Sequence, residues 1–284
     1  MTSPDTARAA LDAQYNARAT VPDIAPMLRD YAELSAQARA TLPCALNVAY
    51  GEHPDETLDI FSTQTDTPGA VFIYLHGGYW RLLSKDDSSF MAPTLTRAGM
   101  TVVAVNYSLA PAVTLDRIVD QTRRAVAWVH KHIAQYQGDP RRLVVAGSSA
   151  GGHLAAMVLA RGWQAAYGMD PDAIKAAVLL SGLYDLTPLV HTHINDWMRL
   201  SEADARRNSP LFELPDRGPA VLVSYGGNET AAFKQQSHDY LAAWRAQGFR
   251  GEYVDMPTTN HFDLVLHLNR PDCPLVQKLL NLVA

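Results

Sequence analysis

The stretch that most constrains this chain is Gly147-Ser148-Ser149-Ala150-Gly151, which follows the apolar run Leu143-Val144-Val145-Ala146 and precedes a helical pattern. A serine with glycine two residues away on each side, between a buried strand and a helix, has the pattern of a nucleophile elbow. The turn is so tight that a Cβ at either glycine would collide with neighbouring backbone. Ser149 then stands at the start of a helix. The backbone N–H of Ala150 has no partner in the helical ladder there and is free to donate to an oxyanion. The pattern demands a strand that ends inside a sheet and a helix that leaves it.

A chain of 284 residues, 48% of them hydrophobic, can bury one large core around such a sheet. The 19% charged fraction and the net charge of -5 describe an ordinary soluble surface. With no Lys/Arg-rich run, the chain lacks the electrostatic footprint of a nucleic-acid binder. Cys44 and Cys273 form neither a disulfide framework nor a metal-ligand spacing and read as free thiols. The segment 1–19 is polar and alanine-rich without an apolar centre, so no secretory signal is expected, and no run reaches membrane-spanning length. The expectation is a cytoplasmic enzyme or binding protein without a membrane partner.

Segment 6–40 favours helix, interrupted at Pro22 and Pro26, with loosely amphipathic spacing. Two readings stay open for this arm: peripheral packing, or a cover over the mouth of a site. Alternation over 46–50 and 57–61 predicts two antiparallel strands. The continuous apolar runs 71–75, 101–105 and 143–146 predict strands buried on both faces. Segment 115–136 has the period of a long helix, stopped by Gly138-Asp139-Pro140. Further strands are expected at 177–180, 220–225 and 252–256, with helices at 231–247 and 275–283. The pattern predicts an α/β fold with a mostly parallel central sheet of about eight strands and helices on both faces. It reads as one domain over 1–284, with an N-terminal helical arm at 1–44 and a cap-like insertion at 183–212.

His76-Gly77-Gly78-Tyr79-Trp80 follows the 71–75 strand directly. Two glycines at a strand end let backbone amides approach a bound oxygen, so Gly78, Tyr79 and Ala150 are the expected oxyanion donors. A serine hydroxyl near neutral pH needs an adjacent base. Of ten histidines, His261 is the best placed, in the polar loop Thr258-Thr259-Asn260-His261-Phe262-Asp263 after the last strand. His76 reads as a structural residue of its turn, His130 and His132 as solvated, His153 as packed in the elbow helix. His191 and His193 fall in the insertion, and no carboxylate or cysteine spacing completes a metal site around them. The third member should be a carboxylate in the loop after strand 220–225, where Glu229 is the only one; Asp255 and Asp263 are rivals. The order Ser149, Glu229, His261 suits a triad built around an elbow serine.

Taken together, His76-Gly77-Gly78-Tyr79-Trp80, Asn106-Tyr107-Ser108-Leu109-Ala110-Pro111, Gly147-Ser148-Ser149-Ala150-Gly151-Gly152 and Asn260-His261-Phe262-Asp263 resemble the α/β-hydrolase family from about residue 45 onward. They look most like its kynurenine formamidase (arylformamidase) branch, beside the hormone-sensitive-lipase-like esterases. Ser181-Gly182-Leu183-Tyr184-Asp185-Leu186 and the 233–237 stretch are similar to that branch too. Esterases usually carry a third glycine where Tyr79 stands here, and the family's acid is usually aspartate where this chain has Glu229. The resemblance implies an α/β-hydrolase fold and a cofactor-free serine hydrolase. Its substrate would be a small-molecule aryl formamide such as N-formylkynurenine, or alternatively a short-chain acyl or aryl ester. Tyr79 and Trp80 are expected to face the aryl ring and Asp185 to shape the pocket, whereas Trp197 reads first as a packing residue. Assembly is left open, a homodimer included.

Overall fold

Two central strands set the geometry of everything else: β3 (Gly69–Leu75) and β5 (Gly138–Ser148) lie parallel, with Leu75 opposite Gly147. The computed structural model describes residues 4–283 of the chain; residues 1–3 and 284, the ends of the expected domain, lie outside the described residues. Eight strands form one sheet: β1 (Cys44–Ala49), β2 (Thr57–Phe61), β3, β4 (Thr101–Val105), β5, β6 (Ile174–Leu180), β7 (Ala220–Ser224) and β8 (Gly251–Tyr253). Their order across it is β1-β2-β4-β3-β5-β6-β7-β8, antiparallel at β1/β2 and β2/β4 and parallel elsewhere.

The sheet has a core on each face. Val71, Ile73 and Leu75 of β3 point into one and Phe72 and Tyr74 into the other, which is why a strand sandwiched by helices is apolar throughout. The helices are α1 (Pro4–Tyr15), α2 (Ala25–Thr41), α3 (Ala92–Arg97), α4 (Leu115–His132), α5 (Ala150–Leu159), α6 (Asn195–Met198), α7 (Glu202–Arg207), α8 (Ala231–Ala246) and α9 (Pro274–Val283). In α4 the apolar positions Leu115, Ile118, Val119, Val126 and Val129 are buried on one side, and Thr114 caps the start by accepting from the Arg117 amide.

Several boundaries differ from the sequence expectation for local reasons. Pro26 starts α2 within its first turn, where its missing N–H costs nothing, and so opens a helix there. The end of α4 tightens into a 3-10 turn, Ile133–Tyr136, closed by Gln137 at φ 60°, and β5 begins at Gly138, earlier than the apolar run. A Cβ at Gly138 would sit 2.5 Å from the Ile133 side chain, so glycine lets the chain turn straight into the strand. β8 stops at Tyr253, and Met256 rejoins the sheet by a single bridge to Gly226. Segment 183–212 folds as α6, α7 and 3-10 turns packed on one another. Cys44 and Cys273 are free thiols.

Candidate active site

Ser149 sits between β5 and α5 at φ 59°, ψ -120°, a conformation that non-glycine residues rarely adopt and that costs about 1–3 kcal/mol. The flanking glycines make the turn possible. A Cβ on Gly147 would lie 2.2 Å from the Gly151 carbonyl oxygen, and one on Gly151 would lie 1.9 Å from that of Leu75. The Ser149 amide is tied to Leu180 O at 2.8 Å, and its carbonyl accepts from His153 at 3.0 Å, so the backbone is held from both sides.

Because Leu75 is in register with Gly147, the turn that leaves β3 arrives beside the elbow. Gly78 has φ +98°, and a Cβ there would meet Leu82 O at 2.2 Å; Tyr79 and Trp80 follow at φ 50° and 56°. The Gly78 carbonyl accepts from the amides of Arg81 and Leu82, both at 3.0 Å, while none of the described residues accepts from the Gly78 or Tyr79 amide. Those donors, with that of Ala150 at the first position of α5, are left for an incoming oxygen. His76 anchors the turn: its ring stacks on Tyr107 at 4.0 Å and its Nδ1 lies 2.9 Å from Gly77 O. Burial drives its pKa down to about 4.

Glu229 and His261 meet through strand order. β6 and β7 end together, Leu180 opposite Ser224, and the β7 loop carries Glu229 while the loop after β8 carries His261. His261 Nδ1 lies 2.8 Å from Glu229 Oε2, and both side chains are buried. The other carboxylate oxygen, Oε1, accepts from Ser181 Oγ at 2.5 Å and from the Gly226 amide at 2.6 Å. Burial pushes the Glu229 carboxyl up, but His261 beside it and the hydrogen bonds from His261, Ser181 and Gly226 outweigh that and bring it below its ordinary value. Ser149 Oγ makes no hydrogen bond among the described residues. It lines the same cavity as His261, an opening of about 330 Å³ with walls that include Leu28, Phe90 and Val265. Among the described residues no group of three or more His, Cys, Asp or Glu side chains converges as metal ligands.

Residues 72–263 match the family model described as alpha/beta hydrolase fold, which takes in the elbow, the glycine turn, Glu229 and His261. The chain belongs to the α/β-hydrolase family. The hydrolase is 39% identical over 256 residues to kynurenine formamidase of Salmo salar, covering 87% of this chain and 84% of that one. It is 29% identical over 241 residues to Esterase LipQ of Mycobacterium tuberculosis, covering 77% of this chain and 57% of that protein. A crystal structure from Silicibacter sp. TM1040, described as a candidate thioesterase, superposes with a TM-score of 0.82 at 30% identity over 94% of this chain and 97% of its own.

Two sequence expectations about the pocket are corrected. Trp80 does not offer its ring to the cavity: it is fully buried, its Nε1 donates to His153 Nδ1 at 3.2 Å, and the two rings meet edge-on. The left-handed backbone at Tyr79 and Trp80 sends the neighbours different ways, Tyr79 to the cavity wall and Trp80 into the core. Asp185 lies off the cavity as well. Its Oδ1 accepts from the Thr187 amide and hydroxyl at 2.9 and 2.7 Å, capping a 3-10 turn. Trp197 lines the cavity and donates to Tyr79 O at 3.3 Å.

Two stretches singled out only by resemblance reach the site: Ser181 Oγ donates to Glu229 Oε1, and Phe233 packs on the His261 ring at 4.7 Å. The arm reaches the site: Tyr15 O accepts from Tyr79 Oη at 2.6 Å, and Tyr31 Oη donates to the carbonyl of Phe262, next to His261. Tyr15, Ala17 and Leu28 of the arm line the cavity.

Proposed function

We propose that this hydrolase removes the formyl group from aryl formamides such as N-formylkynurenine, releasing kynurenine and formate through an acyl-enzyme. Ser149, His261 and Glu229 act as nucleophile, base and acid. His261 Nε2 takes the proton of Ser149 as Oγ attacks the formyl carbon, and the resulting oxyanion rests on the amides of Gly78, Tyr79 and Ala150. Collapse expels the aniline nitrogen, which takes the proton back from His261. Water activated by the same imidazole then releases formate and restores Ser149. Throughout, Glu229 holds the Nδ1–H tautomer and stabilises the imidazolium.

The observation that carries this reading is the buried His261–Glu229 pair opening onto the same apolar cavity as a serine at positive φ. The choice of an aryl formamide rests on the 39% identity to a kynurenine formamidase. The relationship to Esterase LipQ supports a second reading, a carboxylesterase for short acyl or aryl esters using the same groups. No helix among the described residues is long and apolar enough to cross a membrane. We assign the reaction to the cytoplasm, within tryptophan catabolism and on a small-molecule substrate. Labelling with a fluorophosphonate tests the nucleophile: an adduct on Ser149 is expected, and folded protein without one rejects the serine mechanism.

A further inference from the structure

The cavity has a charge imbalance at its mouth that an uncharged ester or amide does not require. Two arginines line it, Arg18 from the 3-10 turn Ala17–Thr20 of the arm and Arg81 from the turn that carries the oxyanion amides. Both are exposed, and neither has a carboxylate partner among the described residues. Among the other ionisable side chains of the wall, Asp87 is the one carboxylate, set against two guanidinium groups, and His76 is buried with its Nε2 unpartnered. Asp87 Oδ2 accepts from Ser84 N and Oγ at 3.2 and 3.3 Å, His193 Nδ1 lies 2.9 Å from Asp12, and His261 is held by Glu229.

Arg81 is also held in place. Its guanidinium carbon lies 4.9 Å from the centre of the Trp197 ring, and Trp197 is itself fixed to Tyr79 O. Arg18 is positioned by a turn that Asn16 caps through the Ala19 amide at 3.3 Å. Unpaired guanidinium groups over low-dielectric walls concentrate positive potential on an opening, and their planar donor forks match a carboxylate.

We propose that Arg18 and Arg81 form a carboxylate-reading subsite, so that the preferred substrate carries an acid on the leaving group that fills the cavity. This rests on the proposed acyl transfer at Ser149. In the formamide reaction the acyl part is only a formyl group, so the leaving group is what reaches the mouth. The arm would then take part in recognition as well as covering the site, because one of the two cations belongs to it.

The test compares kcat/KM for N-formylkynurenine and for its α-carboxyl methyl ester, in the wild type and in Arg18→Gln, Arg81→Gln and the double variant. The acid-to-ester ratio should fall roughly tenfold for each single change, mainly through KM, and more in the double variant. Arg81→Lys should recover part of the ratio, and added salt should shrink it in the wild type. Equal losses on both substrates would mean that the arginines only pack, and an unchanged ratio would mean that they do not read the acid; either overturns the proposal. If neither formamide turns over, the formamidase reading fails. The subsite is then judged by the same ratio on para-acetoxybenzoate and its methyl ester, where an unchanged ratio overturns it independently.

Discussion

His261 Nδ1 lies 2.8 Å from Glu229 Oε2 in a buried pair. A carboxylate there fixes the tautomer that leaves Nε2 available for the Ser149 proton. Glu229→Gln keeps the shape but offers an amide that can present N–H to Nδ1 and favour the wrong tautomer. We expect kcat to fall about 10³–10⁴-fold with the fold intact by circular dichroism. A loss of less than about tenfold in steady-state kinetics would remove Glu229 from the triad.

We expect Ser181 to act through Glu229, as a positioning residue. Its hydroxyl donates to Oε1 and favours the ionised carboxylate, so Ser181→Ala should raise the Glu229 pKa. With the carboxylate less firmly held, the Nδ1–H tautomer of His261 is less favoured, so kcat at neutral pH should fall about tenfold with KM little changed, and Ser181→Thr should recover part of the loss. A kcat within about twofold of the wild type, or a loss that falls on KM instead, would reduce Ser181 to a packing residue.

Trp80 separates structural from substrate roles. Trp80→Phe removes the donor to His153 Nδ1 and leaves that nitrogen buried without a partner, a loss of about 1–3 kcal/mol in stability. Because Trp80 lies off the cavity wall, kcat/KM for aryl substrates should change less than about threefold. Urea denaturation and kinetics on the same sample check both halves. A large rise in KM without destabilisation would return Trp80 to the substrate.

Two buried histidines predict an acid-sensitive fold. His153 Nε2 lies 2.7 Å from Asn208 O and its Nδ1 accepts from Trp80, so the neutral ring satisfies both nitrogens and a second proton would face a donor. Burial lowers the pKa of His153, and that of His76, from 6.5 to about 4. The unfolded chain takes up these protons first. Stability is therefore complete above pH 6.5 and is lost progressively as pH falls from 6.5 toward 4, by up to roughly 3 kcal/mol per histidine. His153→Gln, which does not titrate, should flatten this decline by about half. Chemical denaturation at a series of pH values decides it, and a midpoint constant across that window would contradict the burial argument.

The elbow was legible from sequence because two positions admit no side chain: the atoms that a Cβ at Gly147 or Gly151 would strike are backbone. The sheet was legible because strands covered on both faces must be apolar at every position. Glu229 and His261 could be picked by loop and chain order, since parallel strands deliver their loops to one edge. The stretch opened by Ser181 stood out by resemblance alone, and its contact with Glu229, 48 residues away, was not legible because it forms only through the register of Leu180 with Ser224. Trp80 was misread because adjacency to Tyr79 does not reveal that both residues have positive φ. The arm's loose periodicity likewise hid that Tyr15 and Tyr31 engage carbonyl and hydroxyl groups beside the site.

The most direct test of the account is turnover of N-formylkynurenine beside p-nitrophenyl acetate and butyrate, with Ser149→Ala as the blank. The formamide should be cleaved with a kcat/KM at least equal to that of the esters, and Ser149→Ala should lower kcat by on the order of 10⁶. Efficient ester cleavage with negligible formamide turnover would contradict it and leave the carboxylesterase reading in its place.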